Sequence, residues 1–235
     1  MNKNFISKVA KDTFAVQFNW ALWFISIVFA IFVVARFFVS DIQEMDVNFL
    51  GISAPPSKIF MLICGILVCF GFLEFFIGFR ITRKQFFYGI TISSILISIA
   101  LTIVTVLLQG LAHLIDTLTP INFGNLGLFE DGSFITIMKH IILLVSYYAI
   151  GWLISIGYYR FGGLGGTGFV LIALGFLAGI ELIWEGNLSN TMFSWLNIQL
   201  SQLEFIVSLI LSVALILINY LIIKRVNNRI SVKVN

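Results

Sequence analysis

The chain has 235 residues, 60% hydrophobic and 11% charged, with a mean hydropathy of +1.05. Soluble domains carry about 25% charged residues, so this composition excludes a soluble globular protein. A bilayer core of about 30 Å takes about 20 helical residues to cross, and lipid tolerates only helices or a closed barrel. The apolar runs are continuous rather than alternating, which excludes the barrel. The prediction is an all-α, polytopic, single-domain membrane protein covering 1–235.

Residues 1–17 mix Lys3, Lys8 and Lys11 with Phe5, Ile6, Val9 and Phe14. The apolar residues recur near helical spacing, as an interfacial amphipathic helix requires. The following run is too long for a cleaved leader and lacks a small-residue cleavage site, so it reads as a signal anchor. The first span is expected at about 18–38, opened by Trp20 and Trp23 and closed by Arg36 snorkelling outward. A polar connection, 40–58, carries Asp41, Glu44 and Asp46, is expected to be broken at the pair Pro55 and Pro56, and ends at Lys58. The second span, about 59–79, holds Cys64, Cys69 and Glu74. Five residues apart on different helix faces, the cysteines read as packing residues.

A basic bend holding Arg80, Arg83 and Lys84 leads to the third span, about 86–108, which is rich in Ile, Ser and Thr. Bend and aromatic pair together are expected to face something beyond the membrane. A polar segment, 109–133, then carries His113 and Asp116 one helical turn apart. With His140 they could be imagined as a metal site, but a solvated loop explains them better, and no metal is expected. The fourth span, about 134–159, meets Arg160 and the glycine-rich 161–168. Gly163, Gly165 and Gly168 match the dinucleotide fingerprint in letters only, because the preceding element is a membrane span rather than a strand. A flexible turn accounts for them.

The fifth span, about 168–184, contains Glu181 and ends at Glu185. Within it Gly175 and Gly179 have the spacing that lets helices approach closely, inside the chain or between subunits. Residues 186–202 are semi-polar, with Phe193 and Trp195, and read as a segment lying in or dipping into the interface. The sixth span, about 203–223, precedes a basic tail with Lys224, Arg225, Arg229 and Lys233.

With both termini and the two bends on one side, that side holds all of the 14 Lys and Arg except Arg36, Lys58 and Lys139. The positive-inside rule puts that side in the cytoplasm. Glu74 lies six residues before Arg80, about 9 Å along the helix. An acid there is expected to make a buried contact with a neighbouring helix or the N-terminal helix. No P-loop, catalytic triad or zinc motif occurs, so no enzymatic activity is expected on this chain.

Together these features, and the run GFRITRKQFFYG at 78–89 most specifically, resemble the permease subunits of type-2 ABC transporters, in particular the small six-span exporter permeases of Gram-positive bacteria. The resemblance implies that Arg80, Thr82, Arg83, Lys84, Gln85, Phe86 and Phe87 form a coupling helix seated in a separate ABC ATPase subunit. That subunit would carry the ATP and Mg, this chain holding no cofactor. The N-terminal helix becomes a connecting helix along the inner membrane surface, which Glu74 helps tie to the second span and coupling helix. Residues 186–202 become an outer re-entrant segment, with Glu181 and Glu185 leading into it and Phe193 and Trp195 within it. A second permease, identical or related, would complete a path through the bacterial plasma membrane. The 25 Phe suit a hydrophobic or amphipathic cargo such as a peptide, an antimicrobial or a lipid. The partners are then ATPase, second permease and lipid bilayer, with no nucleic acid. Two rivals are an ATPase-independent channel or carrier, and a membrane scaffold or immunity protein.

Overall fold

The computed structural model describes residues 3–38, 48–79, 81–118, 133–185 and 203–228, and everything regular among them is helical. The elements are α1 (Lys3–Phe38), α2 (Phe49–Leu67), a π-helical segment (Val68–Leu73), α3 (Glu74–Gly78), α4 (Arg83–Leu118), α5 (Ser133–Glu185) and α6 (Phe205–Asn227). Among the described residues five helical stretches are long and apolar enough to cross a membrane, α2 to α3 forming one of them. Large apolar side chains stand outward along all of them, among them Trp23, Ile63, Ile103, Leu171 and Ile206. A surface of that kind suits lipid, where the helix satisfies its own backbone. The chain is a multi-pass helical membrane protein.

The longest stretch, α5, is not straight. Tyr147 and Glu181 share a hydrogen bond of 2.8 Å although 34 residues separate them, a gap of about 51 Å along a straight helix. The reversal is at Gly162, with φ 70° and ψ −161°, a region open essentially to glycine alone. Arms 133–161 and 163–185 therefore run antiparallel. The other glycines after it are helical rather than a flexible turn. Two of them make room for rings, because a Cβ on Gly165 would lie 2.2 Å from Phe161 Cβ, and one on Gly166 2.3 Å from Tyr158 Cδ1.

Direction alternates through the bundle. α1 runs parallel to α4: Val9 abuts Gly89, and farther along Phe29 packs edge-on and Phe32 tilted against Phe49, whose N–H bonds Gln109 of α4. α6 runs against α4, with Tyr220 at Ser94, Lys224 at Tyr88 and Asn227 at Arg83. α2 crosses the first arm of α5 with the backbones almost touching. A Cβ on Gly65 would lie 2.2 Å from the Tyr148 carbonyl oxygen, and one on Gly151 2.1 Å from that of Leu62. Close approach through small residues is how helices associate in lipid, where hydrophobicity supplies no drive.

α4 buries a stripe of Ser93, Ser94, Ser98, Thr102 and Thr105. Ser98, Thr102 and Thr105 each donate to the carbonyl four or so residues back, at 2.8–2.9 Å. These three hydroxyls are thereby satisfied within their own helix, which leaves a narrow face of small side chains. The centre is filled by Trp152, Tyr148, Phe86 and Ile90.

Four expectations change. Residues 5–17 do not lie apart as an interfacial helix; they are the first turns of a single 36-residue α1, because Val9, Thr13 and Gln17 are buried and Gln17 bonds the Tyr148 hydroxyl at 3.1 Å. The proline pair does not break the chain, since α2 starts at Phe49 and carries Pro55 and Pro56 inside it. Its start is held by the Asn48 side chain, which accepts from Gly51 N at 2.9 Å, and by Gln109, which accepts from Phe49 N and Leu50 N. Gln109 is thus not the start of a polar loop: α4 continues to Leu118. Arg36 does not snorkel outward either. It is fully buried, its guanidinium 5.5 Å from the Phe32 ring centre.

Candidate docking end of the bundle

The bend between α3 and α4 is secured from both sides. At the end of α3 the Phe76 carbonyl accepts from Phe79 N at 3.2 Å and Ile81 N at 3.3 Å, and Ile81 and Phe76 are both buried. This six-to-one hydrogen bond between buried residues is one that Schellman-type helix ends share. At the start of α4, Gln85 Oε1 accepts from Thr82 N at 3.0 Å and from Thr82 Oγ1 at 2.9 Å. Gln85 N donates back to Thr82 Oγ1 at 3.4 Å. Thr82-x-x-Gln85 is a capping box, legible as T-R-K-Q in the sequence but not singled out there.

The seven residues expected at the bend divide accordingly. Arg80 lies outside the described residues. Thr82 and Lys84 are exposed and Arg83 is half-exposed. Gln85 is buried, turned back on the cap. Phe86 and Phe87, expected to face outward, are buried instead at 0% and 6% exposure. Phe86 packs on Phe76 and Trp152, and Phe87 on Trp152 and Tyr220. Aromatic rings cannot leave such a cluster without exposing a large apolar area, so the outward surface is polar and cationic. Among the described residues of the bend no helix precedes α4, which begins at Arg83 itself.

Other basic elements converge on the same end. Asn227 Nδ2 donates to the Arg83 carbonyl at 3.0 Å. Arg160, at the Gly162 turn, donates to the Val226 carbonyl at 3.2 Å, and Lys224 to the Tyr88 hydroxyl at 3.1 Å. Cations capping carbonyls at a helix C-terminus complement its dipole. Val9 against Gly89 brings the start of α1, with exposed Lys8 and Lys11, to this end as well.

Glu74 is exposed, not buried. Its carboxylate receives the Tyr159 hydroxyl at 3.5 Å, three residues before the Gly162 reversal. That position near the polar end of the bundle reduces the cost of an acid on a span. It follows directly on the π-helical turn, a local irregularity often found at functional sites.

The opposite end carries a mixed cluster. Lys58 pairs with Glu185 at 3.9 Å and lies over the Tyr147 ring. Tyr147 donates to Glu181, and Lys139 lies over Trp184, whose Nε1 donates to Ser212 at 2.9 Å. Phe193 and Trp195, with the rest of 186–202, lie outside the described residues. So does the side chain of Asp116; among the described residues no three His, Cys, Asp or Glu gather as a metal site. A Cβ on Gly179 would lie 3.4 Å from Leu215 Cδ1, whereas one on Gly175 would face open space.

No family model, curated protein or solved structure matches this chain.

Proposed function

We propose that this chain is the membrane subunit of an ATP-driven transporter, an ABC exporter permease of the bacterial plasma membrane with six spans and both termini in the cytoplasm. A separate ATPase docks at the cationic end, and Thr82, Arg83 and Lys84 are the outward contacts. The observation carrying this reading is the anchoring of the bend on both sides. A push on Arg83 or Lys84 meets no slack, because the Schellman end ties it to α3, the capping box to α4, and Phe86 and Phe87 to α5 and α6. A solvent loop needed only for charge orientation would not need such anchoring.

The filled centre supports a path between two copies rather than through one, since Trp152, Tyr148 and Phe86 occupy the middle of the protomer. ATP acts by favouring one of two arrangements, as any ligand must to shift an equilibrium. The apolar outer walls suit a hydrophobic or amphipathic cargo.

The test is the double substitution Arg83→Glu, Lys84→Glu. Both side chains point away from the core, so insertion and folding are expected unchanged, while stimulation of a co-purified ATPase disappears. Unchanged stimulation would contradict the docking role.

A further inference from the structure

We infer that the C-terminal end of α6 is a binding groove for an anionic phospholipid. A surface groove of about 520 Å³ is lined by Ile218, Leu221, Ile222, Lys224, Arg225 and Asn228. The residues are ordered along the helix axis, with three aliphatic side chains first and three hydrogen-bond donors after them. Ten residues of helix cover about 15 Å, half of a hydrocarbon core of about 30 Å, so tail and headgroup contacts fall within one leaflet.

The head-end donors are partly pre-positioned. Lys224 is held by the Tyr88 hydroxyl at 3.1 Å, with its ammonium 5.3 Å from the ring centre; that single bond leaves two of its N–H groups. Arg225 is exposed and offers the planar fork that matches phosphate oxygens. Basic pockets at the cytoplasmic face of spans recognise acidic headgroups in this way.

Two neighbouring observations favour lipid over protein as the occupant. A second groove at the same end, about 330 Å³ between α1 and α4, again combines an aliphatic wall, Ile6, Ala10, Ile92 and Leu96, with polar Ser7 and cationic Lys11, here interleaved along the helix. A second copy docked symmetrically on α6 would gather two Lys224 and two Arg225 in one patch, because a two-fold interface uses the same surface on both copies, and among the lining residues no acid offsets them.

The experiment is native mass spectrometry of the full-length protein, released from nanodiscs containing equal phosphatidylglycerol and phosphatidylcholine of matched chains. Preferential retention of phosphatidylglycerol is expected. Arg225→Gln should reduce it about fivefold, the effect of one basic residue near an anionic surface. Leu221→Trp should reduce it as well, by filling the groove without touching charge. Lys84→Gln, outside the groove, should leave it unchanged. Equal retention of the two lipids would overturn the site. So would equal loss from Arg225→Gln and Lys84→Gln, which would mean a diffuse field, or an unaltered Leu221→Trp variant. Size-exclusion profiles confirm that each variant is folded before its lipid is counted.

Discussion

Gly65 on α2 and Gly151 on α5 each sit where the other helix's backbone passes, 86 positions apart in the chain and in contact in the fold. A methyl group on either would meet a carbonyl oxygen at 2.1–2.2 Å, and backbone cannot move aside as a flexible side chain can. Gly65→Ala or Gly151→Ala should therefore cost about 1–3 kcal/mol or more through overpacking. Gly175→Ala, with open space around it, should be neutral or slightly stabilising, since Ala is the better helix former. Thermal denaturation in detergent separates the two outcomes, and equal effects would mean that the helices are not so close.

The capping box makes a different prediction. Thr82→Val removes the hydroxyl that both donates to Gln85 and accepts from Gln85 N, and should cost about 0.5–2 kcal/mol. Hydrogen exchange should rise at the start of α4 and not at its middle. If the proposed coupling holds, the variant still binds the ATPase but transmits its motion poorly. Intact stimulation would show that stiffness at this point is not needed.

Phe86 tests core against surface. It is fully buried, so Phe86→Ala should cost about 3–5 kcal/mol and reduce the yield of folded protein. Lys84→Ala, exposed, should change stability by less than about 0.5 kcal/mol. A folded, stable Phe86→Ala variant that had lost only partner binding would instead place the ring outside the core.

At the far end, two polar contacts differ in worth. The Lys58–Glu185 pair is long at 3.9 Å and partly exposed, so Lys58→Met should cost at most about 1 kcal/mol. Tyr147 donates to the Glu181 carboxylate at 2.8 Å, and Tyr147→Phe should cost about 1.5–3 kcal/mol, as bonds to charged groups do. Unfolding in detergent ranks them; a larger effect at Lys58 would mark the ion pair as the principal tie between α2 and α5.

The apolar runs, the reversal after Arg160 and the gathering of cations on one side were legible in the sequence, because hydropathy and charge are local properties. The capping box was legible too, as a threonine three residues before a glutamine. Other features depend on distant partners. Pro55 and Pro56 read as a break because the side chain that holds the start of α2, Gln109, comes from another helix. Arg36 read as a snorkelling end residue, but its side chain is fully buried, with its guanidinium over the Phe32 ring. Phe86 and Phe87 look the same in sequence whether they face a partner or Trp152, and only the arrival of α5 and α6 decides it. No motif announces Gly65 with Gly151, since the pair exists only once two helices cross.

The most direct measurement of the docking role is a cross-link through Lys84→Cys, made in the otherwise natural chain because Cys64 and Cys69 are buried. In native membranes a short thiol-reactive cross-linker should join this cysteine to an ATPase subunit, and in inside-out vesicles stripped of that subunit it should label with a polar maleimide. Labelling only from the outer surface, or a freely reactive cysteine with no ATPase adduct in the intact assembly, would contradict it.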